Sequence, residues 1–560
     1  MTLETLSRLI ALAHAANTHG KYDAAIGYGQ QALRLAPDLP EALYNIGIAH
    51  AGLRHDTEAS AVLMRVADLT SLNADAQNSI GLQLLEIGRF DEADRCLSRA
   101  IQLAPDFAFA YSNLGMLQIK RNRFSEAEQS FRKAIEIDPS ISAAWANLAG
   151  VLNELGEFEE SLTLSEKALE LAYENTQAYI NRGNSFMRLR RLDEAMVCYD
   201  KAIAIDADSS DAYNGRGNVL TRLRRLDEAM VCYDKAIAID PDNPNPSWTK
   251  ALLLLLLGHF TEGWSYYEWR FKVESLRNNY YDFQGMAWTG LENICGKRLL
   301  IYAEQGFGDV IQFCRYIPML EKFGAKVVFQ VRTPLVELVS SLNCVMTVVK
   351  KDDALPKFDA YCSLMSLPFV FKTTVDNIPS EIPYLRAHAC KVEQWKTLLG
   401  NSAKIRVGLV WSGSVAHDDD AERSILLAAL QPLLGLSVEW HSLQKEYRQH
   451  DLEVLNRHPE IHQHQDALID YSDTAALIET LDLVISVDTS VVHVAGALGK
   501  PVWVLLPFVP DFRWLLDRHD SPWYPNTRLF RQQSRGDWSH VINDVKEALI
   551  DHIGSLSLGD

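Results

Sequence analysis

The chain has 560 residues, 48% of them hydrophobic, which is enough for several domains with large cores. Its formal net charge is −19 and its isoelectric point is about 5.3, and no basic stripe appears in the sequence, which argues against a nucleic-acid partner. The longest apolar stretch, residues 251–258, is too short to cross a bilayer.

The N-terminus and the cysteines predict a cytoplasmic protein. Residues 1–16 lack the charged start of a signal peptide and already belong to a repeat. The eight cysteines have no C-x-x-C spacing, so we expect reduced and mostly buried thiols. No cluster suggests a metal, and His458, His462 and His464 are expected to lie in a solvated loop.

The first part of the chain repeats every 34 residues, with about seven copies over residues 6–243. A small residue recurs where two helices of a copy would cross, and several copies end at a proline. The recurring small residues are Ala25, Ala59, Ala93, Ala127, Ser161, Ala195 and Ala229. This pattern resembles the tetratricopeptide repeat and predicts an all-α solenoid over residues 1–243. Residues 188–206 and 222–240 are identical, which indicates a recent duplication.

Asparagine recurs at one position in the first helix of several copies, namely Asn45, Asn113, Asn147 and Asn181, with Ser79 and Gly215 interrupting the row. Such a row could grip the backbone of an extended peptide, since an amide both donates and accepts hydrogen bonds. It resembles the asparagine ladder of the O-linked N-acetylglucosamine transferases, which implies a protein acceptor in the superhelix. The alternative is that asparagine serves local structure at this position.

Residues 244–295 are expected to close the solenoid. A degenerate copy at residues 248–270 carries Trp264, Tyr266, Tyr267 and Trp269, an aromatic surface that suits contact with the next domain. Residues 273–293 are predicted to be a linker with aromatic anchors.

Strands and helices then alternate, which predicts parallel sheets in two doubly wound halves, residues 296–390 and 391–560. A connection at residues 382–399 separates the two series, and a final helix is expected at residues 537–553. The predicted strands are residues 299–303, 326–331, 345–349 and 358–363 in the first half, and 406–411, 438–443, 481–487 and 502–506 in the second.

A glycine turn follows the first predicted strand, at Gly306 and Gly308, and Asp309 stands where the next helix begins. The two glycines permit close approach of a ligand to the loop backbone. Asp309 would then face whatever occupies the crevice. The alternative for Asp309 is simple helix capping.

The segment 481–507 predicts a buried strand, a sharp turn, a small-residue helix and a second buried strand. Asp488, Thr489 and Ser490 lie at the turn, and His493 lies on the first helical turn. Ligands of open α/β sheets bind outside the carboxyl ends of the strands, facing helix N-termini, so this turn suits a diphosphate and a sugar. The alternative is a capped helix with Asp488 as the N-cap and a packed His493.

These two segments together resemble the family of ADP-heptose transferases, and residues 510–532 are similar to a bacterial subgroup in which that unit follows tetratricopeptide repeats. The resemblance implies the GT-B fold, two Rossmann-like halves facing a cleft. It also implies a nucleotide-sugar substrate, no metal or other cofactor, and Asp309 as the acceptor of the proton from the attacking hydroxyl.

Three further places are candidates for donor binding. Ser412, Gly413 and Ser414 end the first strand of the second half, where small residues and free amides suit phosphate. Arg423 carries, by resemblance, the role of neutralising the leaving diphosphate. Gln444 could bond the base or ribose and Lys445 a phosphate, although both could lie in a surface loop. The acids at residues 418–420 depart from the family; we expect them in a solvated loop, but they cast doubt on activity.

The sequence thus predicts a glycosyltransferase whose repeats recruit a protein acceptor. A first alternative is a binding scaffold whose transferase fold is inactive or senses a nucleotide sugar. A second alternative is a transferase acting on a lipid-linked glycan.

Overall fold

The computed structural model describes residues 2–279, 283–415, 417 and 419–557. The chain divides into two compact units, Met1–Leu223 and Arg224–Asp560. The second helix of the last predicted repeat therefore groups with the second unit, whereas the repeat pattern alone ends at residue 243.

The first unit consists of helices packed in sequential antiparallel pairs. The two helices of each pair are joined by a turn with one left-handed residue, at Gly20, Arg54, Gly88, Asn122, Gly156 and Arg190, where φ lies between 57° and 86°. The recurring alanines are fully buried where the helices cross. The helices are α1 (Thr2–Thr18), α2 (Tyr22–Leu35), α3 (Pro40–Gly52), α4 (Asp56–Leu69), α5 (Ala74–Glu86), α6 (Phe90–Leu103), α7 (Ala108–Lys120), α8 (Phe124–Ile137), α9 (Ser142–Leu155), α10 (Phe158–Leu171), α11 (Thr176–Arg188), α12 (Leu192–Ile205) and α13 (Ser210–Arg222).

Gly215, which interrupts the asparagine row, has a packing role. A Cβ added there would lie 2.2 Å from the ring of Tyr199, which is itself buried between α12 and α13. Any larger side chain would push the two helices apart, because close-packed cores have no spare volume.

The second unit begins with three helices, α14 (Leu226–Ile239), α15 (Pro244–Leu256) and α16 (Phe260–Tyr267). Two short 3-10 segments follow, Glu268–Lys272 and Glu274–Asn279. Trp264 and Tyr267 are buried, with their rings 5.7 Å and 6.2 Å from that of Phe512 in the C-terminal part of the same unit. The degenerate copy therefore packs its aromatic residues against the α/β part of the chain.

The first sheet contains parallel strands in the order β1-β5-β2-β3-β4 among the described residues. Its strands are β1 (Met286–Ala287), β2 (Arg298–Tyr302), β3 (Lys326–Val331), β4 (Met346–Lys350) and β5 (Ala360–Ser363). Its helices are α17 (Phe307–Phe313), α18 (Val336–Val339), α19 (Leu367–Val370) and α20 (Ala389–Leu399), with 3-10 segments at Cys314–Phe323, Thr333–Leu335, Leu364–Ser366 and Val375–Asn377. The very short β1 lies in the segment that the sequence predicts as a linker.

The second sheet is also parallel, in the order β11-β10-β9-β6-β7-β8. Its strands are β6 (Arg406–Val410), β7 (Glu439–Ser442), β8 (Ile461–Gln463), β9 (Leu483–Val487), β10 (Val502–Leu506) and β11 (Thr527–Arg531). The helices are α21 (Asp420–Arg423), α22 (Gln431–Leu434), α23 (Gln449–Arg457), α24 (Tyr471–Glu479), α25 (Ser490–Ala497) and α26 (Trp538–Ser557), with 3-10 segments at Leu427–Leu430 and Phe512–Trp514. Taken in chain order this is the doubly wound order 3-2-1-4-5-6.

The strand order fixes where a ligand could bind. The direction of winding reverses between β2 and β5 in the first sheet and between β6 and β9 in the second. Crevices in open α/β sheets form at such reversals, outside the carboxyl ends of the strands. None of the described helices combines the length and the hydrophobicity that a bilayer crossing requires.

Candidate functional site

The loop after β2 and the start of α25 lie against each other. A Cβ added to Gly308 would lie 2.8 Å from Cδ2 of His493 and 3.5 Å from Cα of Ser490. Glycine is needed here because the backbone of one segment approaches the side chain of the other. The two segments that the sequence singles out therefore meet at the carboxyl ends of β2 and β9.

Asp309 caps its own helix and also forms an ion pair across this junction. Its Oδ2 accepts a hydrogen bond from the backbone N–H of Gly306 at 2.8 Å, the capping interaction that the sequence left open. Its Oδ1 accepts from the guanidinium of Arg513. An ionised carboxylate has about four acceptor sites, so the two contacts leave room for a hydroxyl donor.

Arg513 is a site residue that the sequence reasoning missed. Its side chain is 11% exposed and also donates to Oδ1 of Asp511 at 2.6 Å. Burial lowers the pKa of Arg513 to about 10, so the group remains a cation at neutral pH. The only signal in the sequence is an arginine set between Phe512 and Trp514, a pattern that by itself is equally consistent with a surface residue.

His493 is buried and neutral at physiological pH. Its ring stacks on Trp514 with centroids 5.7 Å apart, and its Nδ1 lies 2.9 Å from the hydroxyl of Tyr524. Burial lowers the pKa of His493 to about 3, and the nearby cations Arg315 and Arg423 act in the same direction. The packed-histidine alternative therefore describes this ring, but the N-cap that it expected at Asp488 is wrong, because α25 begins after Thr489.

The turn after β9 combines a backbone carbonyl, a carboxylate and two hydroxyls. Arg423 donates from Nη1 to the carbonyl oxygen of Asp488 at 3.0 Å. Burial raises the pKa of Asp488, although Arg423 opposes the shift. The hydroxyls of Thr489 and Ser490 lie 3.3 Å from that of Ser486 and 2.8 Å from that of Tyr471.

The turn after β6 packs directly on Arg423. A Cβ on Gly413 would lie 2.5 Å from Nη2 of Arg423, so the glycine makes room for the guanidinium. The Oγ of Ser412 and the Nε of Arg423 are buried and have no hydrogen-bond partner in the described part of the chain. Ser414, by contrast, is exposed. Buried polar groups are normally paired with protein or with water, so these two atoms can take a further polar partner.

The acidic loop differs from the expectation. Asp420 is buried, and it accepts from Arg448 at 2.6 Å and from Ser424 at 2.7 Å, so the expectation of a solvated residue is wrong for Asp420. Ser424 in turn accepts the backbone N–H of Gly413 at 3.0 Å. Asp419 is exposed as expected, and residue 418 lies outside the described residues. Asp420 thus stabilises the turn after β6 through Ser424. Arg448 offsets its negative charge.

Gln444 and Lys445 are engaged with the protein backbone. Gln444 donates to the carbonyl of Ser412 at 2.9 Å and accepts from its N–H at 3.4 Å, which ties the ends of β6 and β7 together. Lys445 donates to the carbonyl of Gln465 at 2.9 Å. Both side chains keep further hydrogen-bonding capacity, so a ligand role for either, as the sequence suggests, stays a prediction.

The histidines near β8 are only partly solvated. His464 lies 3.0 Å from the ring nitrogen of buried His441, and burial lowers the pKa of both to about 4. His462 stacks on His441 with centroids 5.0 Å apart and stays exposed. The expectation of a solvated loop is therefore wrong for His464, which is half-buried, and for His462, which is exposed but lies on β8. Within the described residues, no group of three or more His, Cys, Asp or Glu is arranged to hold a metal ion.

The asparagine row of the repeats is largely committed to the solenoid. Asn181 is buried and donates to the carbonyl of Ala146 at 2.8 Å, which ties α11 to α9. Asn45 is buried and donates to the carbonyl of Glu41 at 2.8 Å. Asn45 and Asn181 are buried by their surroundings, which fits the alternative of a local structural role better than peptide binding.

The other two members of the row remain partly accessible. Asn113 is half-buried and donates to Oδ1 of Asn78 at 2.8 Å, a bond between α7 and α5. Asn147 is half-buried as well. A peptide-binding role thus stays a prediction that fits Asn113 and Asn147 better than the two buried asparagines.

Asn181→Ala is expected to destabilise the chain more than Asn147→Ala. The first change removes a buried hydrogen bond between α11 and α9 and should cost about 0.5–1.5 kcal/mol, while the second, at a half-exposed site, should cost less than about 0.5 kcal/mol. Urea unfolding followed by helical circular dichroism measures both. Equal unfolding free energies for the two variants would show that the bond to Ala146 contributes nothing.

Models of the tetratricopeptide repeat match residues 10–74, 74–107, 108–141, 142–175, 176–209 and 210–243 without a gap. Residues 10–243 are tetratricopeptide repeats. A solved tetratricopeptide repeat protein from Parabacteroides merdae is 17% identical, with 45% of this chain and 99% of that chain covered and a TM-score of 0.40. YrrB, described as a repeat protein with an unusual peptide-binding site, is 23% identical, with 34% and 98% covered and a TM-score of 0.27.

The match to one curated relative is longer than the repeat region. Protein FlbA of Caulobacter vibrioides is 26% identical over 333 residues. The match covers 55% of this chain and 55% of that protein, so the tetratricopeptide chain spans about half the length of the relative it matches.

Proposed function

We propose that the second unit is a metal-independent glycosyltransferase of the GT-B type, acting in the cytoplasm on a protein that the repeats recruit. The observation that carries this proposal is the convergence of two segments: the Asp309 loop of the first sheet touches the donor-type turn of the second through Gly308 and His493. A carboxylate and the turn that we propose for donor binding then lie side by side, which is the arrangement that sugar transfer requires.

Electrostatics support a diphosphate in the second sheet. The guanidinium of Arg423 lies at the reversal point between β6 and β9, and its Nε lacks a partner among the described residues, as does Ser412 Oγ. Preorganised donors aimed at a developing charge stabilise it without reorganisation, which is the largest source of catalysis in many enzymes. The start of α25 adds its backbone N–H groups and helix dipole.

The reaction follows from these positions. The acceptor hydroxyl oxygen attacks the anomeric carbon of the donor sugar as the bond to the diphosphate oxygen breaks. Asp309 takes the hydroxyl proton, and the diphosphate leaves with the bonding electrons while Arg423 offsets its charge. A phosphate leaving group needs no protonation, so a single general base suffices.

The repeats supply the acceptor. Stacked helix pairs present an extended concave surface of the kind that binds peptides. In this proposal Asn113 and Asn147 contact the acceptor backbone, whereas Asn45 and Asn181 hold the solenoid together.

A binding scaffold with an inactive transferase fold is the second candidate, and the contacts of Asp309 favour it. Both oxygens of Asp309 already accept hydrogen bonds, from Gly306 and Arg513, and Gln444 and Lys445 are bound to the backbone. Side chains that pair with other parts of the protein stabilise the fold, so they can be retained after activity is lost.

Nucleotide diphosphates and their sugars distinguish the candidates. We expect one nucleotide to raise the melting temperature, because a ligand at 100 times its dissociation constant stabilises by about 2.7 kcal/mol. The matching nucleoside without phosphates serves as the control. Mass spectrometry of candidate acceptor proteins, incubated with the stabilising donor, should then show the added sugar. Binding without transfer to protein or water would favour a scaffold that senses the nucleotide, and no binding at all would contradict the transferase and favour an inactive scaffold.

A further inference from the structure

The loop that carries Arg513 is held in an unusual backbone conformation. Leu515 and Asp517 have φ values of 50° and 52°, a region that side chains other than glycine rarely adopt. Arg531 donates to three backbone carbonyls of the loop, those of Trp514 at 2.5 Å, Leu515 at 2.9 Å and Arg518 at 2.8 Å. Strained backbone of this kind persists only where its surroundings impose it.

The other side of the loop is held by the terminal helices of the repeat region. Phe512 packs between Trp264 and Tyr267 of α16. Arg224, next to α14, forms an ion pair with Asp517. Arg513 thus projects from a loop that is fixed on two sides, by β11 and by the helices that precede the first sheet.

Arg513 connects two carboxylates that come from different sheets. One Nη donates to Asp309, beside β2, and the other donates to Asp511, which follows β10. The Nε of Arg513 is buried and unpaired in the described residues. The planar fork of arginine serves two acceptors at once, which a lysine ammonium on a flexible stem does less well.

We propose that Arg513 is the positioning residue for the base: its guanidinium holds the Asp309 carboxylate in a fixed orientation beside the turn after β9. This inference rests on the proposed transferase function. Arg513 acts through Asp309, because the cation next to the carboxylate favours its charged form until the acceptor hydroxyl arrives. The fixed loop then sets where that carboxylate stands relative to the donor turn.

Kinetics of transfer test this role. Arg513→Met is expected to lower kcat by about 100-fold, the size of a lost general-base contribution, with the KM for the donor changed less than about 3-fold. The acid limb of the pH profile should move to higher pH, because a carboxylate without its cation binds a proton more tightly. Arg513→Lys keeps the positive charge but lacks the planar guanidinium. It should therefore recover part of kcat and most of the wild-type pH profile.

Arg518→Met is the matched control, since Arg518 lies in the same loop and pairs with Asp520 instead. It should keep wild-type kcat within about 2-fold, as expected for a surface ion pair. An Arg513→Met enzyme with unchanged kcat and pH profile would overturn the proposal. So would an equal loss of kcat in Arg518→Met, because the loop would then act only as a structural support.

Thermal unfolding without substrates separates this inference from the proposed function. Asp309→Asn and Arg513→Met remove the two partners of one pair, so their effects on the melting temperature should be non-additive by about 2 °C or more. Additive effects would show that the pair does not form and would overturn the inference. Absence of any sugar transfer by the wild-type protein, together with non-additive melting, would instead overturn the transferase proposal and leave the pair as a structural contact.

Discussion

Asp309→Asn is expected to reduce sugar transfer by about 1000-fold, within the range that a positioned general base contributes, while the affinity for the nucleotide-sugar donor changes by less than a few-fold. The amide cannot take the proton of the acceptor hydroxyl, but its oxygen can still accept the N–H of Gly306 and keep the helix start. Steady-state transfer kinetics and donor calorimetry measure the two quantities separately.

Asp352→Asn provides the control, because Asp352 is exposed and lies in the same half of the α/β region. It should leave transfer unchanged. Full transfer activity in Asp309→Asn would remove Asp309 as the base, and a large loss of donor affinity would place the donor on the first sheet instead of the second.

Arg423→Met is expected to weaken binding of the free nucleotide diphosphate by about 10-fold or more, since hydrogen bonds to charged groups contribute about 1.5–3 kcal/mol. The rate of transfer should fall by about 100-fold or more, because the charge on the diphosphate grows as the sugar departs. The introduced methionine side chain is unbranched and apolar, so it can occupy the space over Gly413 that the guanidinium of Arg423 fills.

Arg457→Met removes an arginine of the same half whose side chain is 67% exposed, and it should change neither quantity. Calorimetry is the measurement for binding and initial-rate kinetics for transfer. Unchanged affinity of Arg423→Met for both the nucleotide diphosphate and the sugar donor would move the anion site away from the turn after β6.

The sequence predicted those strands whose own residues carry the signal for a strand. Each of the eight predicted strands is present to within two residues, because continuous apolar runs between turn residues are typical of buried parallel strands. The short strands Met286–Ala287 and Ile461–Gln463 were missed, since neither has an apolar run of its own. The strand Thr527–Arg531 was missed as well, because two arginines interrupt its apolar pattern.

Site contacts were predictable only where one segment determined them. The Gly306–Asp309 turn needs no partner to form, so the sequence located Asp309 and its capping role. The partner Arg513 lies 204 positions further along the chain and reaches Asp309 only through tertiary packing. Asp420 illustrates the same limit: three acids in a row suggest a solvated loop, whereas Arg448 makes one of them a buried brace.

The identical segments 188–206 and 222–240 allow the number of repeats to change during evolution. Recombination between the two copies inserts or deletes 34 residues in register, hence one whole helix pair. Each copy has an arginine at its left-handed turn, Arg190 or Arg224, and Arg224 is the one that reaches Asp517 and the ring of Phe508. Whichever copy is lost, the chain that remains presents the same arginine at that contact. The number of repeats can therefore change by one helix pair at a time, while the arginine that contacts the α/β region stays the same.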